Sequence, residues 1–275
     1  MKLGIVGNGF VGNAMVKTFA NVERLEIKGF DLNPELCEPK GTKLEDFRDY
    51  DIIFVSVPTP MSKDGSCCVK IVEIAIAQVR EMGYKGPIVL RSTVPPGTSK
   101  RLKCLFMPEF LTEAKPVEDF KNNDNWIFGV TCKEDENILR KMISTAYSEG
   151  CIISDKCTFM TTCEAEMVKM FRNVFLAVKV SVCNELADWC AQEEINYDNV
   201  RKIAFSDKRI GLSHTLVPGP DGHRGFGGTC FPKDVASSVS CMNESVVIKA
   251  AQDRNNDLDR PGKDWAADKG RAVVE

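Results

Sequence analysis

The sequence predicts an α/β protein: a doubly wound parallel sheet, followed by a long connecting helix and a small all-helical domain. Three observations lead there. Short apolar runs alternate with amphipathic segments through the first half, as they do when strands are linked by crossover helices. The first run, Leu3 to Val6, leads directly into Gly7-Asn8-Gly9-Phe10-Val11-Gly12. From about Thr161 to Glu194 there is neither proline nor glycine, and Val168, Phe171, Phe175, Val178 and Val182 recur at helical spacing.

Composition bounds the function. The chain has 275 residues, 43% of them hydrophobic and 27% charged, which suits one large or two ordinary globular domains. A net charge of -3 creates no basic field and argues against nucleic acid as a partner. No apolar run reaches the length of a membrane span. The N-terminus enters an apolar strand at once, so no signal peptide is expected. Twelve cysteines are scattered without a Cys-x-x-Cys, and His214 and His223 have no ligand spacing with them, so no metal site is expected. Reduced thiols in a cytoplasmic protein are the expectation. Cys67, Cys68, Cys151, Cys157 and Cys163 read as small core hydrophobes.

In chain order, the glycine loop comes first, with Asn13 to Ala20 as the helix behind it. In that setting Gly7 makes a tight turn, Gly9 admits a pyrophosphate and Gly12 lets helix and strand pack. Asn8, Phe10 and Val11 complete the loop, and the helix N-terminus offers its free N–H groups to phosphate. The next strand, Leu25 to Phe30, ends at Asp31, nineteen residues beyond Gly12. An acid there accepts ribose hydroxyls and repels a 2′-phosphate, so NAD is expected rather than NADP.

Asp51 to Val57 is a buried strand running into Pro58-Thr59-Pro60, Val69 to Met82 an amphipathic helix, and Pro87 to Leu90 a further strand ending in Arg91-Ser92-Thr93. Val57, Pro58, Thr59 and Thr93 therefore fall beyond the carboxyl ends of strands, where such sheets bind ligands. Cys104 to Met107 reads as one more strand. In Pro108 to Ala114, Glu109 and Glu113 are spaced to share a face if the segment is helical. Strands at Trp126–Val130 and Cys151–Ser154, around a helix from Glu134 to Tyr147, complete a first domain over 1–155.

The second domain, 156–255, opens with the long helix, where Lys169 and Asn173 lie one turn apart. A helix from Tyr197 to Phe205 follows, and a last one from Val235 towards Gln252. Before it stands Gly225-Phe226-Gly227-Gly228-Thr229-Cys230-Phe231-Pro232-Lys233-Asp234. Glycines allow unusual backbone geometry or close approach of a ligand. A cysteine at the end of such a loop, with a lysine and an acid close by, is placed to act as a thiolate. Residues 256–275 read as a polar tail.

The glycine fingerprint, the Thr93 loop, Glu109-Phe110-Leu111-Thr112-Glu113, Lys169 with Asn173, and Gly227 to Asp234 occur in an order that resembles the UDP-glucose/GDP-mannose dehydrogenase family. The resemblance spans residues 1 to roughly 256. It implies a Rossmann-type NAD-binding domain joined through a long helix to a helical domain that forms a homodimer. It implies a two-step oxidation of a sugar-nucleotide C6 alcohol to a carboxylate, with UDP-glucose favoured. Cys230 matches the nucleophile that carries the thioester, Lys169 the group that stabilises oxyanions, and Asn173 a hydrogen-bond donor to them. Asp234 and Thr93 match the groups that order water, and Glu113 the acid/base of hydrolysis. Glu109, Phe110, Leu111, Gly227 and Gly228 fall among the substrate contacts with Lys169 and Asn173. Arg209 matches an arginine sent across the dimer interface to the substrate. The family's third, nucleotide-holding domain is not expected in this sequence.

Two other readings stay open on the residues. One is a non-catalytic NAD-binding or interaction protein derived from such an enzyme. The other is a hydroxyacid dehydrogenase of the same architecture, which needs no cysteine nucleophile.

Overall fold

The structure is a computed structural model that describes residues 1–274. It divides into two compact units. One comprises Met1–Thr59 and Val69–Lys169, the other Pro60–Cys68 and the chain from Met170 onward. Among the described residues no helix is long and apolar enough to cross a membrane.

The first unit contains β1 (Lys2–Val6), α1 (Phe10–Phe19), β2 (Glu26–Phe30), β3 (Ile52–Val55), α2 (Lys70–Glu81) and β4 (Ile88–Leu90). After these come α3 (Thr98–Leu102), β5 (Leu105–Phe106), α4 (Pro116–Lys121), β6 (Trp126–Val130), α5 (Lys133–Ser148) and β7 (Cys157–Thr161). One sheet holds all seven strands in the order β2-β1-β3-β4-β5-β6-β7. Because successive side chains of a strand point to opposite faces, its residues divide between two cores. Leu3, Ile5, Ile52 and Phe54 pack with Met15, Phe19, Phe128 and Leu139 on one face. Val6, Ile53, Val55 and Leu90 pack with Val72, Ile76 and Phe106 on the other. Strands buried on both faces read as continuous apolar runs, which is why they were legible.

Four expectations need correction. The sheet is not wholly parallel: β5 and β6 pair antiparallel, Phe106 opposite Gly129. The connection between them carries one short helix, α4, of six residues. The last strand is β7, Cys157–Thr161, paired in parallel with β6. Cys151–Ser154 is instead the turn after α5, where Ile152 alone is buried as a plug and Ile153 is exposed. Pro108–Ala114 is not helical. Glu109 is buried and Glu113 exposed, so they do not share a face. Finally, Val235–Gln252 is two helices, broken where Met242 turns to an extended conformation. The serine-rich run before that break and Asn243 after it favour local side-chain bonding over helix continuation.

Helix α6 (Thr162–Gln192) begins in the first unit and continues in the second. There α7 (Tyr197–Ala204), α8 (Phe231–Cys241) and α9 (Val246–Arg254) follow it. A small core joins Ala177 of α6, Phe226 and Val235. Pro60–Cys68 is a hairpin, Met61 bridging Cys67, turned at Gly65, whose φ is +84°. The segment beyond α9 is folded: it buries Asn255, Arg260, Trp265 and Ala272. Its end pairs with the hairpin, Met61 N–H donating to Ala272 O at 2.9 Å and Val274 N–H to Met61 O at 2.9 Å.

Candidate active site

In the first unit the glycine loop has a cradle's geometry. Gly7 has φ +88°, and a Cβ there would lie 2.7 Å from Ser56 O. At Gly12 a Cβ would come within 2.2 Å of Gly7 O. These two glycines relieve internal clashes. Gly9 does not: a Cβ there meets no protein atom within 4 Å, so its missing side chain leaves space for something outside the chain. Gly9 is also the N-cap of α1, which has no side-chain cap and no acid in its first turn, a setting that favours an anion. Asn8 Oδ1 is buried without a partner. A cleft of about 550 Å³ lies here, lined by Asn8, Gly9, Phe10, Asn13, Leu36 and Glu38. These residues fit a dinucleotide. Val11 enters the first turn of α1, its carbonyl accepting from Arg91 at 3.2 Å. Asp31 is tied to the loop, its carboxylate accepting from Asn8 N–H at 2.8 Å and Asn33 N–H at 2.9 Å.

Val57, Pro58, Thr59 and Thr93 lie beyond β3 and β4, as their spacing predicts. Ser92 Oγ donates to Val57 O at 2.6 Å, and Thr59 Oγ1 to Thr93 O at 2.8 Å. Thr59 thus spends its hydroxyl on bracing the two loops, while Thr93 is half-buried.

A buried ion pair joins the segment after β5 to α6. Lys169 Nζ donates to the Glu109 carboxylate at 2.6 Å and to Glu109 O at 2.7 Å, and lies 5.7 Å from the centre of the Phe110 ring. Burial pushes the Glu109 carboxyl up. Lys169, Leu111 N–H at 3.0 Å and the Arg91 guanidinium together outweigh it and hold the group below its ordinary range. Arg91 is a participant that the motif reading missed. It is buried, its guanidinium lies 5.4 Å over the Phe120 ring, and burial lowers its pKa to about 10. With Glu109, Phe110, Leu111 and Phe120 it lines a cavity of about 260 Å³. An arginine at the end of an apolar strand was the available signal. Glu113, four residues on from Glu109, is exposed.

In the second unit the cysteine loop ends at α8. Cys230 is the N-cap of that helix and half-buried, with Thr229 Oγ1 3.8 Å from its sulfur. Asp234, one turn on, is buried and doubly held: Lys233 Nζ donates to Oδ1 and Asn173 Nδ2 to Oδ2, each at 2.6 Å. Burial disfavours the Lys233 cation, but Asp234, Cys230 and Cys67 together raise its pKa. Cys67 is the second residue missed. The hairpin 60–68 packs on α8, with Gly65 close to Ala236, and so carries a second sulfur into the field of Lys233.

Gly227 packs against Arg260, while Gly228, with φ +71°, faces open space. Arg209 lies elsewhere, its side chain 89% exposed and paired with Asp207 two residues earlier. Its loop is pinned to α6 by Lys179 Nζ, which donates to Ile210 O at 3.1 Å and Gly211 O at 2.8 Å. Among the described residues no cysteine is in a disulfide.

Residues 40–147 match the UDP-glucose/GDP-mannose dehydrogenase family's NAD binding domain, and residues 163–257 match the same family's central domain. A UDP-glucose 6-dehydrogenase of Rickettsia felis is 30% identical over 94% of this chain and 66% of its own length. One of Rickettsia prowazekii is 35% identical over 78% of this chain and 52% of its own. The solved structure of a UDP-glucose dehydrogenase from Pyrobaculum islandicum superposes with a TM-score of 0.79 at 27% identity, covering 93% of this chain and 68% of that one. The chain thus spans about half to two thirds of the length of these curated relatives.

Proposed function

The chain belongs to the UDP-glucose/GDP-mannose dehydrogenase family, and from that premise we propose that it oxidises the C6 alcohol of a sugar nucleotide, UDP-glucose first, to the carboxylate through a thioester on Cys230. The observation that carries this reading is Cys230 itself: a half-buried thiol at the N-terminus of α8, in the field of Lys233. Both features stabilise a thiolate.

Bound NAD supplies the hydride acceptor for each of the two oxidations. The loop Gly7–Gly12 and Asp31 hold it, and Asp31 sets the preference over NADP. The alcohol loses a hydride from C6 and its hydroxyl proton to water and becomes the aldehyde. The Cys230 thiolate adds to the aldehyde carbon, and the Lys169 ammonium and Asn173 amide stabilise the oxyanion formed. Loss of a second hydride from that adduct leaves the thioester. Water then attacks its carbonyl, positioned by Asp234 and Thr93 and deprotonated by Glu113, and the thiolate departs. Glu109 holds Lys169 in place, and Phe110, Leu111, Gly227 and Gly228 contact the sugar nucleotide.

The same reading includes a homodimer. Phe171, Phe175, Val182 and Trp189 are 67%, 72%, 50% and 61% exposed and fall at heptad positions of α6, the pattern of a helix that pairs with another. Arg209, exposed on its pinned loop, is the residue that would reach the partner's substrate. Twelve thiols without a disulfide among the described residues fit a reducing, cytoplasmic setting.

The test is NADH formation from UDP-glucose and NAD by the purified chain. Two NADH per UDP-glucuronate are expected, with no acid formed by Cys230→Ser. Full oxidation by Cys230→Ser refutes the thioester route. NAD binding with no NADH from any sugar nucleotide supports a non-catalytic protein instead.

A further inference from the structure

We propose that Asn255, assisted by Arg260, is the positioning residue that sets the Gly225–Thr229 turn and thereby aims the Cys230 thiol; the inference rests on the nucleophile role assigned to Cys230 above. The Asn255 side chain is wholly buried. Its Oδ1 accepts from Phe226 N–H at 2.7 Å and its Nδ2 donates to Phe226 O at 3.0 Å. Only a primary amide offers an acceptor and a donor side by side, so it alone satisfies both main-chain groups of one residue. The turn is shaped to receive it. Gly225 has φ +66°, and a Cβ there would lie 2.3 Å from Asn255 Oδ1.

Arg260 holds the next positions. It is buried, its Nε donates to Arg224 O at 2.8 Å, and a Cβ on Gly227 would fall 1.6 Å from its guanidinium. Asp264, at 2.9 Å, and Asp221 neutralise it. The residues from Arg224 to Gly227 are therefore fixed by two side chains from the segment beyond α9. Phe226 is anchored further by its ring, in the core with Ala177 and Val235.

From that anchor to the thiol the chain runs through Gly227, Gly228 and Thr229, two of which add no side-chain restraint of their own. On the other side Cys230 is held by α8, Asp234 N–H donating to Cys230 O at 3.0 Å. The clamp thus decides whether the sulfur stays at the helix N-terminus beside Lys233. Lys233 on α8 acts electrostatically on Cys230, and Asp234 on α8 and Cys67 on the hairpin act on Lys233 in turn.

The test uses the whole chain with Asn255→Ser, which shortens the amide away, and Arg260→Lys, which keeps the charge but loses the planar contact with Gly227. Alkylation of Cys230 by iodoacetamide is followed by mass spectrometry across pH, with exposed Cys241 of the same molecule as reference. A thiol released from Lys233 and the helix end is less ionised at neutral pH; a roughly tenfold fall in thiolate, partly offset by the greater nucleophilicity of a more basic sulfur, is about threefold in rate. The expected result is therefore a Cys230-to-Cys241 rate ratio about threefold lower or more, with the Cys230 profile displaced to higher pH and that of Cys241 unmoved. NAD affinity, which resides in the first unit, should be unchanged. A Cys230 profile within twofold of the parent in either folded variant overturns the proposal. So does failure of both variants to fold, which would make the pair a determinant of folding rather than of aim. Alkylation needs no turnover, so a Cys230→Ser protein that still makes acid would sink the nucleophile role without touching this result.

Discussion

Replacing Lys169 by Met should destabilise the first unit severely. The side chains of Lys169 and Glu109 are only 5% and 7% exposed, so solvent does little to screen the pair. Lys169→Met keeps the bulk of the stem but leaves a carboxylate buried beside one remaining cation, Arg91, and one N–H, Leu111. Breaking a buried pair from one side costs about 3–5 kcal/mol, and the surviving partners place this case near the lower end. In a unit of this size that is a fall of about 10 °C in Tm. Trp126 is buried in the first unit, so its fluorescence in a Trp189→Phe, Trp265→Phe background reports on this unit in urea. The double variant Lys169→Met, Glu109→Gln removes the orphaned charge and should recover about half of the loss. The pH dependence has a definite sign. Burial raises the Glu109 pKa, but the cations lower it further, below the ordinary 4.5. The pair's contribution is therefore complete above that value and disappears as pH falls through the lower, folded-state pKa. Lys169→Met should abolish this part of the acid sensitivity. A loss below about 1 kcal/mol, or a double variant no more stable than Lys169→Met, would show that the pair is not what stabilises this region.

Four other substitutions separate binding and assembly from folding. Gly9→Ala should change stability by no more than about 1 kcal/mol, because its methyl meets no protein atom, yet weaken NAD at least tenfold by calorimetry. Gly12→Ala should itself destabilise by about 1–3 kcal/mol, since its methyl would sit 2.2 Å from Gly7 O; equal effects of the two changes on folding would contradict the cradle geometry. Asp31→Ala should narrow the preference for NAD over NADP by about tenfold, one charge repulsion, and equal affinity of the parent for both would refute the role of Asp31. Phe175→Glu, at a position 72% exposed, should leave the protomer folded but sediment as a monomer where the parent sediments as a dimer.

Features that rest on local chemistry can be read from neighbouring residues. Strands buried on two faces must be apolar throughout, a tight turn at Gly7 excludes a side chain, and a helix such as α6 excludes proline and glycine. These constraints act within a few residues and can be read from them, as can the acid that ends β2 and the cysteine that ends the glycine loop. Pairings between distant segments arise only when the chain folds. Lys169 and Asn173 look equivalent on the chain, one turn apart. Folded, one serves Glu109, sixty residues away, and the other Asp234, sixty-one residues away. Nothing local distinguishes Asn255 from Asn256, or marks Arg260 or Cys67, because their partners arrive from other segments. The direction of β6 belongs to the same class, since it is set by a pairing between Phe106 and Gly129 of different segments. Periodicity reports which face of an element is buried; it does not report what the buried polar groups meet there.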